Sequence, residues 1–135
     1  MAVKRVEHIG IAVSNLAESE ALFTKLFGKK SYKSETVESE GVTTQFYQLG
    51  ETKIELLEAT REDSAIAKYI NKRGQGMHHI AYEVDDIYAE MKRLQEEGFQ
   101  LLMDEPKAGA DNKLICFLHP KTTNGVLVEL CQDKG

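Results

Sequence analysis

Met77-His78-His79-Ile80-Ala81-Tyr82-Glu83-Val84 decides how the rest of the chain is read, because it restates Val6-Glu7-His8-Ile9-Gly10-Ile11-Ala12-Val13. Each stretch sets a histidine in a short apolar run. Each is followed by polar residues suited to capping a helix, then by a helical pattern closing at Phe27-Gly28 or Gly98-Phe99. Far downstream of each stands a glutamate inside another apolar run, Ile54-Glu55-Leu56-Leu57 and Val128-Glu129-Leu130. The histidines are 71 residues apart and the glutamates 74. Features that recur together at one long period mark a duplicated supersecondary unit.

Working outward, Val6 to Val13 is apolar on both alternating faces, which predicts a strand covered on both sides. Ser14 and Asn15 are good N-caps, with Glu18 placed for a capping box. Leu16, Leu22, Phe23, Leu26 and Phe27 then make a helical stripe, and Gly28 suits the helix end. Strands follow at 32–38, 42–49 and 52–57, with turns at Gly41 and Gly50-Glu51. Residues 60–73 connect the copies through a short helix carrying Ile66, Tyr69 and Ile70, capped by Asp63 or Ser64, and Gly74-Gln75-Gly76 ends it. The second copy reads as a strand at 77–84, a helix capped by Asp85-Asp86 with Ile87, Met91 and Leu94 inward, and a strand at 99–103. An irregular loop at 104–112, a strand at 113–119, a turn at 120–125 and a last strand at 126–131 complete it. The expected fold is α+β. One domain, 1–135, is built from βαβββ modules 1–73 and 74–135 that form a cupped, eight-stranded mixed sheet with helices outside. Gly10, Ala12 and Ala81 leave room in the cup.

The bulk properties bound the function. A chain of 135 residues with 41 % hydrophobic and 29 % charged residues is globular in composition. Its net charge of −5 argues against a nucleic-acid partner. No apolar run reaches eighteen residues, so no membrane helix is expected. The first residues enter a strand pattern at once, without the apolar or Arg/Ser-rich character of a targeting segment. Cys116 and Cys131 lack a CxxC spacing and read as reduced core thiols. Together these predict a cytoplasmic protein.

Glu55 and Glu129 carry the chemical question. A carboxylate withdrawn from water needs a compensating partner; on a solvated sheet face it needs none. A single histidine among apolar strand residues is more often a hydrogen-bonded core residue than a ligand. Recurrence of both residue types shifts the balance toward joint metal ligation by His8, Glu55, His79 and Glu129. Two imidazoles and two carboxylates suit a borderline divalent ion: cobalt, zinc, nickel, manganese or iron. Open positions on such an ion mark a catalytic site. It can chelate a carbonyl and a neighbouring oxygen and stabilise an enolate, with a glutamate placed to take the proton. His78 points to the opposite strand face and reads as structural or supporting. His119, a turn residue without a repeat partner, is a candidate for the substrate site.

The same residues resemble the vicinal oxygen chelate superfamily and, within it, the methylmalonyl-CoA epimerase family, over nearly the whole chain. The segments that carry the likeness are Val6 to Val13, Glu51 to Glu58, Gly76 to Ala81 with Glu83 to Ile87, Asp104-Glu105-Pro106-Lys107, Phe117 to Lys121 and Gly125 to Leu130. The doubled histidine, the Asp-Glu-Pro-Lys loop and the His-Pro-Lys turn are the most specific of them. The resemblance implies inversion at C2 of methylmalonyl-CoA, in propionate metabolism, by a homodimer. It places the metal ligands on His8, Glu55, His79 and Glu129 and the acid/base on Glu129. It also expects a second glutamate on the strand after the Gly-Val turn, where this chain has Thr44. The second proton must then come from water, from another residue such as Glu55, or from one group serving both faces. Lys107, Lys113 and Lys121 flank the long loop and the turn and are candidates to meet the anionic CoA tail; Thr44 and His119 are the other candidate substrate contacts. A glyoxalase I-like lyase acting on glutathione hemithioacetals would use the same quartet. A metal-free binding module would lack it, and a purely structural protein would leave the repeat unexplained.

Overall fold

In a computed structural model, which describes residues 3–135, the elements follow the repeat. The first half contains β1 (Val3–Ala12), α1 (Leu16–Phe27), β2 (Lys33–Val37), β3 (Val42–Leu49) and β4 (Thr52–Ala59), then the connecting α2 (Ala65–Arg73). The second contains β5 (Gly76–Val84), α3 (Ile87–Glu96), β6 (Lys107–Gly109), β7 (Lys113–Leu118) and β8 (Val128–Asp133). The strands form one eight-stranded mixed sheet in the order β2-β3-β4-β1-β5-β8-β7-β6. The β5–β8 pair is parallel, whereas β2–β3, β3–β4, β6–β7 and β7–β8 are antiparallel. No helix of the described residues is long and apolar enough to cross a membrane.

The helix ends are where the sequence puts them, for the anticipated reasons. Asn15, Ser64 and Asp86 accept the backbone N–H of Glu18, Ala67 and Ala89, satisfying amides that the first helical turn leaves without a carbonyl. Gly28 closes α1 at φ 71°, donating to Thr24 O, in the left-handed region that glycine enters at least cost. Gly41, at φ 63°, turns the chain into β3. Arg61 lies directly beneath it and donates to the Glu38 and Ser39 carbonyls, and an added Cβ would come within 2.9 Å of the guanidinium carbon.

The chain divides into two compact units, Ile9 to His78 and the segment up to His8 together with His79 to Gly135. Strand alternation sorts each unit's residues. In the first, Val13, Tyr47 and Leu56 pack with Phe23 and Phe27 of α1, while Ala12, Val42 and Leu57 pack with Ile66 of α2. In the second, Val84, Cys116, Leu118, Val128 and Leu130 pack with Ile87, Met91 and Leu94 of α3. Ala81, Ile115 and Cys131 form a smaller apolar group with Phe117. In both units the late glutamate lies on the strand face away from α1 or α3: Glu55 faces with Leu57, and Glu129 pairs across the ladder with Ala81 and Phe117.

Two local expectations need correction. The stretch 99–103 does not form a strand; Leu101 makes a single bridge to Leu118. The strand lies instead at Lys107–Gly109, inside the expected loop, paired with Ile115 to Lys113. Pro106, without an N–H, separates the two stretches. Asp111 and Asn112, both at positive φ, then make the tight reversal into β7. In α1, Phe23 and Phe27 reach the core, but Leu22 and Leu26 are 58 % and 68 % exposed, so the apolar stripe is wider than the face that is covered.

Candidate metal and acid/base site

His8, His79 and Glu129 meet. β1 carries His8, β5 carries His79 and β8 carries Glu129, and these strands are neighbours in the sheet. The His8 and His79 Nε2 atoms are 3.0 Å apart. Glu129 Oε1 is 3.0 Å from His79 Nε2 and 3.6 Å from His8 Nε2. The imidazoles meet edge to face, and Phe117 stands edge-on to His79. All three residues are buried, so the reading of Glu129 as an outward surface charge is excluded.

Burial would push the Glu129 carboxyl up. Contact with the His8 and His79 imidazoles outweighs burial and holds it below the usual carboxylate range. The group is thus an anion at neutral pH although it is buried. Cys116, whose strand partner on β8 is Leu130, is driven the other way: burial and the Glu129 charge, partly offset by a backbone hydrogen bond, push its thiol up to about 12. It is an inert core thiol at neutral pH. Cys116 and Cys131 are both buried and not joined to each other.

The donor set fits a divalent ion. An ion with bonds of about 2.1 Å places adjacent ligand atoms roughly 3.0 Å apart in an octahedron and roughly 3.4 Å apart in a tetrahedron. The three separations here, 3.0, 3.0 and 3.6 Å, are of that size. Without a cation, two ring nitrogens and a carboxylate oxygen at this spacing must share protons between them. The described residues hold one other close group of potential ligand atoms, on Glu7, His8 and Cys131, all buried. There the Glu7 carboxylate is engaged with His8 Nδ1 at 2.6 Å, and the Cys131 thiol donates to Tyr82 O.

Glu7 is what the sequence reading missed. It is 1 % exposed, and Lys113 Nζ lies 3.7 Å from its other oxygen. The signal was the repeat itself: at an offset of 71 residues Glu7 matches His78, so a carboxylate stands where the other copy has an imidazole. His78 packs edge-on against Tyr69. Glu55 and Thr44 are buried in the other unit, on β4 and β3. Lys113 is not the accessible cation expected: its side chain is 8 % exposed and pairs with Asp133 and Glu7. Lys107 and Lys121 are exposed. His119 caps the 3₁₀ turn Pro120–Thr122 by accepting the Lys121 N–H at Nδ1.

Comparison with known proteins agrees with this architecture. Residues 7–117 match the glyoxalase/bleomycin resistance protein/dioxygenase superfamily. The chain is 43 % identical over 132 residues to the ethylmalonyl-CoA/methylmalonyl-CoA epimerase of Cereibacter sphaeroides, covering 96 % of this chain and 98 % of that one. It superposes on the methylmalonyl-CoA epimerase of Mycobacterium tuberculosis with a TM-score of 0.94 at 30 % identity, over 99 % of this chain and 91 % of the other. A variant Streptomyces coelicolor methylmalonyl-CoA epimerase in complex with 2-nitronate-propionyl-CoA gives 0.92 at 34 % identity, over 99 % of this chain and all of that one.

Proposed function

We propose that this chain, which belongs to the glyoxalase/bleomycin resistance protein/dioxygenase superfamily, is an epimerase that inverts C2 of methylmalonyl-CoA and depends on one divalent ion per chain. The observation that carries this reading is the buried meeting of His8, His79 and Glu129. Its support is the naming of the relatives for the same reaction and the substrate-analogue complex of one of them.

His8, His79, Glu129 and Glu55 would hold the ion, with cobalt the first candidate and zinc, nickel and manganese the others. When bound, it supplies Lewis-acid stabilisation of the negative charge that develops on the substrate's oxygens. Glu129 is the acid/base. Its carboxylate takes the C2 proton as the C–H electron pair moves toward the thioester carbonyl, and a proton returned to the opposite face completes the inversion. Thr44 has no carboxylate to supply that second proton, so water, Glu55 or Glu129 itself delivers it. Burial of the site keeps bulk water from quenching the carbanionic carbon indiscriminately. Thr44, His119, Lys107 and Lys121 are the proposed substrate contacts, the exposed lysines serving the phosphates of the CoA tail. One domain over residues 1–135, assembled as a homodimer through sheet edges such as β2 or β6, completes the reading. A cytoplasmic address and a place in propionate metabolism go with it, the first in keeping with two thiols that are not joined in a disulfide.

The test is solvent exchange. In deuterated buffer the metal-loaded protein is expected to wash deuterium into C2 of methylmalonyl-CoA. Chelation should abolish the exchange and a divalent ion restore it. Metal-loaded protein that exchanges nothing, but turns over the methylglyoxal–glutathione adduct, would replace this reading with the lyase.

A further inference from the structure

We infer that Glu7 is a positioning residue. Its carboxylate fixes the tautomer of His8 so that Nε2 is left unprotonated toward His79 and Glu129, and the Lys113 ammonium beside it offsets the buried charge without being needed to orient the ring. The inference rests on the metal-site reading above and adds to it a group that supports one of the ligands.

Glu7 is almost fully buried, and an ionised carboxylate that deep is tolerated only when its oxygens are engaged. Both are. Oε1 lies 2.6 Å from His8 Nδ1, and Oε2 lies 3.7 Å from Lys113 Nζ, itself buried and ion-paired to Asp133. A carboxylate has no proton to give, so Nδ1 is the donor. A neutral imidazole carries one N–H, so with Nδ1 protonated His8 Nε2 presents a lone pair. That atom is the one 3.0 Å from His79 Nε2 and 3.6 Å from Glu129 Oε1. A carboxylate behind a ligating imidazole also raises its basicity and locks its ring, and removing such a group weakens metal binding roughly 10- to 100-fold.

The pairing explains why this position needs glutamate and not glutamine. Two donors, the His8 Nδ1–H and the Lys113 ammonium, converge on two acceptor oxygens. A glutamine has one oxygen and one NH₂. If its oxygen serves Lys113, its NH₂ faces His8 Nδ1 and drives the proton to Nε2, blocking the ligand atom. Removing the Lys113 ammonium as well would release the amide oxygen to His8.

The unsubstituted chain and its variants test this with two readouts. One is ¹⁵N imidazole NMR of the metal-free protein, which reports the His8 tautomer. The other is the dissociation constant for Zn²⁺ and Co²⁺ by competition with a chromophoric chelator. His8 is expected as the Nδ1–H form in the unsubstituted protein. Glu7→Leu and Glu7→Gln should each shift it toward Nε2–H and weaken zinc roughly 10- to 100-fold. Glu7→Gln combined with Lys113→Met should recover the tautomer and most of the affinity. Lys113→Met alone should keep the tautomer and stay within about threefold, an effect smaller than that range. A folded Glu7→Leu that retains both tautomer and affinity overturns the inference, as does a Lys113→Met that loosens zinc as much as Glu7→Leu. If Glu7→Leu does not fold, the glutamine single and double variants decide by the presence or absence of recovery. A protein that binds neither ion yet shows the expected tautomers refutes the metal site and leaves the role of Glu7 standing.

Discussion

Glu7-His8 and His78-His79 occupy the same place in the two copies of the repeat, yet only the second residue of each pair does the same thing. His8 and His79 are both buried and meet Nε2 to Nε2. The residues before them part company. Glu7 turns its carboxylate onto the Nδ1 of its own neighbour and onto Lys113. His78 stacks edge-on with Tyr69, whose hydroxyl donates to the Met77 carbonyl. The duplicated unit thus repeats the atoms that converge and rebuilds what stands behind them. A ligand is constrained by the point it must reach, whereas its support has only to orient a ring, which an anion, a carbonyl or packing can each do.

The largest effect should come from the point of convergence. Glu129→Gln keeps the shape of the side chain but removes the anion that both imidazoles stabilise. If Glu129 is the base, C2 deuterium exchange should fall by about 10²- to 10⁴-fold, while the fold survives, as judged by circular dichroism. Exchange within tenfold of the unsubstituted protein would move the acid/base role elsewhere, with Glu55 the first alternative.

The same comparison extends to the helices, where the copies also diverge. α3 buries Ile87, Met91 and Leu94 against β7 and β8, whereas no residue of α1 is fully buried. Met91→Ala should therefore cost about 2–5 kcal/mol by urea denaturation, through lost apolar contact and the cavity left behind. Leu26→Ala, at the matching end of α1, should change stability by no more than about 0.5 kcal/mol. A large loss at Leu26 would mean that this face is covered in solution, and its dependence on protein concentration would identify a second copy as the cover.

This contrast also marks how far the sequence could be read. Period, caps and turns are local properties, so the strand carrying His8, the N-caps at Asn15 and Asp86 and the reversal at Gly41 were legible from neighbouring residues. The width of the covered face on α1 was not, because Leu22 and Leu26 satisfy the helical period whether or not anything packs on them. The strand at 107–109 was hidden because three residues carry no alternation and Pro106 argued for a loop. At the site, repetition exposed His8, His79 and Glu129. Glu7 is hidden because it breaks the repeat, and the burial of Lys113 is hidden because its partners, Glu7 and Asp133, are 106 and 20 residues away in the chain.

Cys116 sharpens the electrostatic side of the comparison. Its folded-state thiol, pushed up to about 12, stays protonated where an unfolded-chain thiol of ordinary value near 9 would ionise. Above that ordinary value the unfolded chain therefore binds fewer protons than the native one, and stability is lost as pH rises from about 9 toward 12. The limiting slope is about 1.4 kcal/mol per pH unit for one group. Lysines and tyrosines titrate in the same range, so the quantity to measure is the difference between the unsubstituted protein and Cys116→Ala. Part of the shift comes from the Glu129 charge, so the loss should be shallower in a Glu129→Gln background. A difference that does not vary with pH would mean that the thiol is not held protonated by its surroundings.

The smallest effect should fall on the partner residue that the repeat replaced. His78→Phe keeps a ring for Tyr69 to pack against and removes both nitrogens. If the second copy orients His79 by packing rather than through His78, zinc affinity should change by less than about threefold, well below the roughly 10- to 100-fold expected for an outer-layer group that holds a ligand. Stability should stay within about 1 kcal/mol, since an aromatic pair is worth ~0.5–1.5 kcal/mol and the pair is retained. A loss of affinity as large as that of Glu7→Leu would show that both copies brace their ligand through the preceding residue. The contrast between Glu7 and His78 would then be one of chemistry alone, an anion behind one imidazole and a second imidazole behind the other.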